Sequence, residues 1–278
     1  MWLPSVFEFL EKMVTEDIVR DLEGKLSGVS SVLIVIGTPP VFDEVAAALS
    51  LRLGLMTLGK RVGVVCEAPM VVEFNRLVGV DKVKTEMGGE NLIVKFSKMA
   101  SEAIGKVSYE EESGTGRLML VVMPKPGRTV PGRSHISFER SGASGEMVVA
   151  VGREWGKLEE KMLKVPKEKL VWVGREGGRE GVFGLEIGDE RRAAVSEVVA
   201  EVLFLMKVRR DEDLATNLFL GIEAGSRGFT ARQVGPETFK LVAELLESGA
   251  RRDGIGVRSD DESGDWMTPR VYKGGMLV

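Results

Sequence analysis

Cysteine and histidine are almost missing from this chain, at one residue each in 278. The lone Cys66 closes the apolar run from Arg61, and such a thiol is expected to be reduced and buried rather than catalytic. No apolar run reaches the roughly 18 residues of a membrane span, so no membrane association is expected. The N-terminus has no basic segment leading into an apolar core and a small-residue cleavage site. No signal peptide is therefore expected, and the expected location is cytoplasmic. An excess of basic charge is also missing: 38 basic against 42 acidic residues give −4. That excludes a globally basic nucleic-acid binder and leaves room only for a local basic patch. There is no internal repeat and no low-complexity segment.

What remains is ordinary for a globular protein, with 44% hydrophobic and 29% charged residues in a chain long enough to bury a sizeable core. Phe7–Leu26 has helical spacing in an N-terminal segment, residues 1–30. Val32–Ile36 reads as a buried strand, Asp43–Leu58 as a helix and Val62–Val65 as a second strand. Together they make a βαβ unit, which implies a parallel sheet. From about 91 to 146 short β-prone runs alternate with turn residues, as in Glu112-Ser-Gly-Thr-Gly116, and suggest a small antiparallel β insertion. The α/β rhythm then resumes with strands Met147–Val151 and Leu170–Val173. Helices are expected at Trp155–Met162, Glu190–Met206, Leu214–Ile222 and Glu237–Leu246. The expected fold is thus α/β, a mostly parallel sheet flanked by helices over 31–252, followed by a Gly-, Asp- and Ser-rich tail at 253–278. Trp266, Met267 and Pro269 in that tail offer a docking segment for a partner or second copy.

Three segments then carry a resemblance. The first is Asp43-Glu-Val-Ala-Ala-Ala-Leu-Ser-Leu-Arg-Leu53 with Leu58-Gly-Lys-Arg-Val62. The second is Val182-Phe-Gly184 followed by Ala194–Leu203. The third is Leu214-Ala-Thr-Asn-Leu-Phe-Leu-Gly-Ile222, then Gly228-Phe229, Pro236–Leu246 and Gly249-Ala250. In this order the chain resembles the DHH phosphoesterase family, which includes oligoribonucleases and phosphatases of 3′,5′-phosphorylated adenosine. The resemblance implies a pair of divalent ions, typically manganese, held by Asp and His to activate water and stabilise a phosphoryl transition state.

Carried over by position, most of those ligands are missing. The first motif's His and first Asp fall at Gly37 and Val41, and only its second Asp remains, as Asp43. Other expected ligands fall at Gly152, at Gly174-Arg175-Glu176 and at Gly225. His135, the only histidine, lies in the insertion. The chain also ends before the family's glycine-rich substrate domain. The expectation is a degenerate relative with no catalytic residues, no metal and no cofactor, in which Asp43 serves as an N-terminal helix cap.

Arginines stand where ligands are lost. Arg153 follows Gly152, Arg175 stands at the first histidine of the Asp-His-His that the resemblance implies at Gly174-Arg175-Glu176, and Arg227 lies beside Gly225. Guanidinium groups bind phosphate bidentately without a metal. The three are the candidate ligand-binding residues for a nucleotide or short RNA; the bland reading is solvated loop residues. The loop Gly174–Gly181 lacks the lysine and serine or threonine of a P-loop. A second hypothesis is an interaction module in which the insertion, with Arg128, Arg133, His135 and Arg140 among Tyr109, Pro131 and Phe138, contacts RNA or a protein partner. An active phosphodiesterase or phosphatase on short oligoribonucleotides or phosphoadenosine is the remaining alternative.

Overall fold

The computed structural model describes residues 14–252 apart from 89–91, 113, 131, 141, 177 and 180. The tail from 253, with Trp266, Met267 and Pro269, lies outside the described residues, as do Pro131 and the Arg140 side chain. The first half contains α1 (Glu16–Ser27), β1 (Ser31–Ile36), α2 (Phe42–Thr57), β2 (Arg61–Val65), β3 (Val83–Lys84), β4 (Leu92–Phe96), α3 (Lys98–Ala103), β5 (Ile104–Glu112) and β6 (Arg117–Pro124). The second contains β7 (Ile136–Arg140), β8 (Met147–Val151), α4 (Leu158–Met162), β9 (Leu170–Gly174), β10 (Leu185–Gly188), α5 (Val195–Leu205), α6 (Glu212–Gly225) and α7 (Pro236–Glu247).

Six strands form one parallel sheet in the order β10-β9-β8-β1-β2-β3. Central strands covered on both faces need continuous apolar runs, and Val32–Ile36 and Met147–Val151 supply them. Strand alternation sends Val32, Ile34 and Ile36 into one core and Leu33 and Val35 into the other. The first core is closed by α1, α2, α5, α6 and α7. The second is closed by Trp155, Leu158, Met162, Trp172 and Phe183. Helix α2 packs on the sheet and against both α5 and α6, so it is buried nearly all round from Val45 to Leu51. From β1 the chain steps outward to β2 and β3; from β8 it steps the other way to β9 and β10. The loops leaving β1 and β8 therefore diverge, which opens a crevice at the carboxyl ends of these strands.

The α/β expectation is met, with three local corrections. The described first helix begins at Glu16: Thr15 is extended (φ −115°) and its hydroxyl accepts from the Ile18 amide at 3.3 Å, which interrupts the helical run expected from Phe7; Phe7–Met13 lie outside the described residues. Helix α5 starts at Val195 rather than Glu190. The Asp189 carboxylate accepts from the Arg191 backbone N–H (3.0 Å) and from its guanidinium (2.8 and 2.6 Å), which holds this stretch as a turn. The insertion forms two separate antiparallel pairs, β4 with β7 and β5 with β6. Tyr109 stands on one and Phe138 on the other, so the expected basic and aromatic mixture is divided between two small sheets.

Candidate functional site: an arginine-lined cleft

The crevice encloses about 400 Å³ and is lined by Asp43 and Glu44 from α2, Gly152 and Arg153 after β8, Gly174, Arg175 and Glu176 after β9, and Gly225 and Arg227 at the end of α6. All three arginines singled out in the sequence meet here, although 74 residues of chain separate the first from the last. Their surroundings differ. Arg153 is exposed and paired with Glu176. Arg175 is half-buried, approaches Glu176 only to 3.9 Å, and its Nε is buried without a hydrogen-bond partner. Arg227 is exposed and has backbone φ +56°, a left-handed conformation that glycine adopts most cheaply.

Asp43 is not the cap of its own helix. Its Oδ2 accepts from the Val195 amide at 2.6 Å and its Oδ1 from the Ser196 amide at 2.9 Å. The N-cap position of α5 is Ala194, which has no side-chain acceptor, so a carboxylate from α2 satisfies the free amides instead. Burial pushes the Asp43 carboxyl up, and the hydrogen bonds from Ser196 and Val195, together with Arg175, oppose this. The adjacent Glu44, which the sequence reading did not single out, lies against Gly37 and Gly152: a Cβ at Gly37 would stand 2.9 Å from Glu44 Oε2. Burial raises Glu44 to about 7; the charge of Asp43 adds to this and Arg153 opposes it.

Gly37, Gly152, Gly174 and Gly225 are not open slots. Glu44 fills the space beside Gly37 and Gly152, and a Cβ at Gly225 would come within 2.6 Å of Asp43 Oδ2. Beside Gly174 lies the Trp172 indole, whose Nε1 donates to the Gly152 carbonyl at 2.7 Å. No group of three or more His, Cys, Asp or Glu among the described residues could hold a metal ion. The side chains here do not fit a pair of divalent ions, because the Asp43 carboxylate already accepts two backbone amides.

No family model matches this chain, and no curated protein does. Among solved structures, an exopolyphosphatase-related protein from Bacteroides fragilis is similar in fold, with a TM-score of 0.61 at 12% identity over 86% of this chain. The chain spans 58% of that protein's length.

Proposed function

We propose that the cleft binds the phosphate of a nucleotide or short oligonucleotide without a metal ion, in a catalytically degenerate relative of the DHH phosphoesterases. The observation that carries this reading is the convergence of Arg153, Arg175 and Arg227 from three separate loops on one crevice. Of the three carboxyls there, Asp43 is engaged by the α5 amides and Glu176 by Arg153. Arg175 and Arg227 are left to meet an anion, at the first turn of α2, which has no side-chain cap of its own. The likeness to an exopolyphosphatase-related fold is consistent with a phosphate-bearing ligand.

Calorimetric titration of a nucleotide and dinucleotide panel in EDTA tests this. Binding weakened at least about tenfold by Arg175→Ala with Arg227→Ala is the expected result. No heat across the panel ends the reading. Manganese-dependent turnover of a dinucleotide or of 3′,5′-phosphorylated adenosine, lost in Asp43→Ala, would replace it with an active phosphoesterase.

One observation favours a second reading, the insertion as a contact surface. The β5–β6 ribbon places Val107, Tyr109, Leu118 and Leu120 on one face, each at least 46% exposed. If removal of 91–146 leaves every captured partner bound, the insertion is not the interface.

A further inference from the structure

At the opposite ends of the strands, the sheet has a second concave surface. Strand β3 is only two residues long and pairs with Val64 and Val65. The first half of β2, Arg61–Gly63, is therefore the outer edge of the sheet. The Arg61 amide turns inward to the Ser30 carbonyl (3.1 Å), so by strand alternation the backbone of Val62 faces outward. A slot of about 370 Å³ lies over this edge. Its walls are Gly142–Ser144 and the α2 residue Arg52, and Ser31 and Ser144 contribute hydroxyls.

Four cations line the slot, Arg52, Arg61, Lys82 and Lys84, and no carboxylate does. They arrive from α2 (Arg52), from β2 (Arg61), and from β3 and the turn before it (Lys84 and Lys82). Arg52 makes no ion pair or hydrogen bond among the described residues, and Arg61 donates to the Ser30 hydroxyl at 3.2 Å. Two acids outside the lining are engaged: Asp81 pairs with Lys82 at 2.5 Å, which offsets part of that cation, and Glu146 accepts from the hydroxyls of Ser30 (2.6 Å) and Ser31 (3.0 Å).

A charged residue on a sheet edge discourages edge-to-edge pairing, and one lysine is enough for that. Four cations converging from three directions on a concave volume go beyond it. The open edge is also too short for an added peptide strand, since β3 closes it after Gly63. The volume instead matches a small ligand.

We propose that this slot is a second anion site, sharing no residue with the arginine cleft, and that it takes a compact polyanion carrying two or more phosphate groups. The two sites lie at opposite ends of the same parallel strands. The N-terminal one has guanidinium and ammonium groups with the Ser144 hydroxyl beside them.

Inorganic tripolyphosphate in EDTA, titrated into the full chain, is the probe. The amides of Gly63 and Ala143, followed by NMR, should shift on addition. Affinity should fall at least about tenfold in Arg52→Gln with Lys82→Gln, and further as salt is raised. The cleft variant Arg175→Ala with Arg227→Ala should keep the Gly63 and Ala143 shifts, which separates this site from the proposed phosphate cleft. Three results overturn the proposal: unshifted Gly63 and Ala143 amides in the unmodified protein, binding lost only in the cleft variant, or a hexaglutamate peptide that reproduces the shifts at equal affinity. The first needs no variant to fold.

Discussion

Glu44 occupies space that larger residues at Gly37 and Gly152 would take, and its titration can be felt in both stability and binding. Its carboxyl is raised from the ordinary 4.5 to about 7 by burial and by Asp43. The folded state therefore holds a proton that the unfolded chain releases. The stabilising effect is full below about 4.5 and is lost as pH rises through about 7. It amounts to at most about 3 kcal/mol. Urea midpoints at pH 5 and pH 8.5 should converge partly in Glu44→Gln; burial also raises Asp43 and Glu197, so some slope remains. In the same range the ionised Glu44 adds negative charge beside the arginines. Anion affinity should weaken from pH 6 to pH 8.5 in the unmodified protein and weaken less in Glu44→Gln, where the raised Asp43 in the same cleft still contributes, read by calorimetry with sulfate, whose charge is constant there. Arg227 separates binding from structure in another way. At φ +56° a glycine is less strained, so Arg227→Gly should raise stability by up to about 1 kcal/mol while weakening phosphate binding. Unchanged binding in that variant would reduce Arg227 to a solvated loop residue. The arginines were legible in the sequence because each follows or replaces a position with an expected role. Glu44 was not, because its meaning depends on Gly37 and Gly152 facing each other across two strands 115 residues apart.

At the scale of elements, Asp43 ties α2 to α5. Removing its carboxylate leaves the buried Val195 and Ser196 amides without acceptors, each costing about 1–3 kcal/mol. Asp43→Ala should thus lower stability by about 2–6 kcal/mol, measured by urea unfolding, whether or not any ligand is present. A loss below about 0.5 kcal/mol would return Asp43 to an exposed first-turn role. This cross-helix cap is not legible in the sequence, because Asp43 and Val195 are 152 positions apart. Strands were legible where burial on both faces makes the run continuous, as at Val32–Ile36 and Met147–Val151. Strand β10, Leu185-Glu-Ile-Gly188, was not: it is short, at the sheet edge, and carries a charged residue. The ribbon β5–β6 contributes no residue to either core cluster, and its two ends are joined by the Lys125 amide donating to the Ala103 carbonyl at 2.8 Å. Replacing 105–123 with a short Gly-Ser linker should therefore shift the thermal midpoint by no more than about 2–4 °C. A larger fall would mean that the ribbon supports the α/β core.

For the whole molecule, the alternation of apolar strands with helices made the parallel α/β class legible, whereas the order of the strands was not. Order is fixed by which helices cover which face, and only this order sets the loops after β1 and β8 apart to form the crevice. The same order brings Gly37, Gly152 and Gly174 to one edge, where neighbouring side chains already fill the space. A side chain at Gly152 meets Glu44, and one at Gly225 meets Asp43. This makes the response of the entire fold to its ligands a discriminating measurement. A ligand that binds only the folded state stabilises it by RT ln(1 + [L]/Kd), about 2.7 kcal/mol at a hundredfold excess over Kd. In a chain of this size that corresponds to a rise of roughly 5–10 °C in melting temperature. A nucleotide at such excess, without metal, should produce a rise of that order, and Arg175→Ala with Arg227→Ala should abolish it. Millimolar manganese alone should leave the midpoint where it is, since Asp43 is held by amides and the neighbouring positions are glycines filled by other side chains. A manganese-induced rise that disappears in Asp43→Ala would mean that the α5 amides yield to a metal, and the metal-free reading of the cleft would fall.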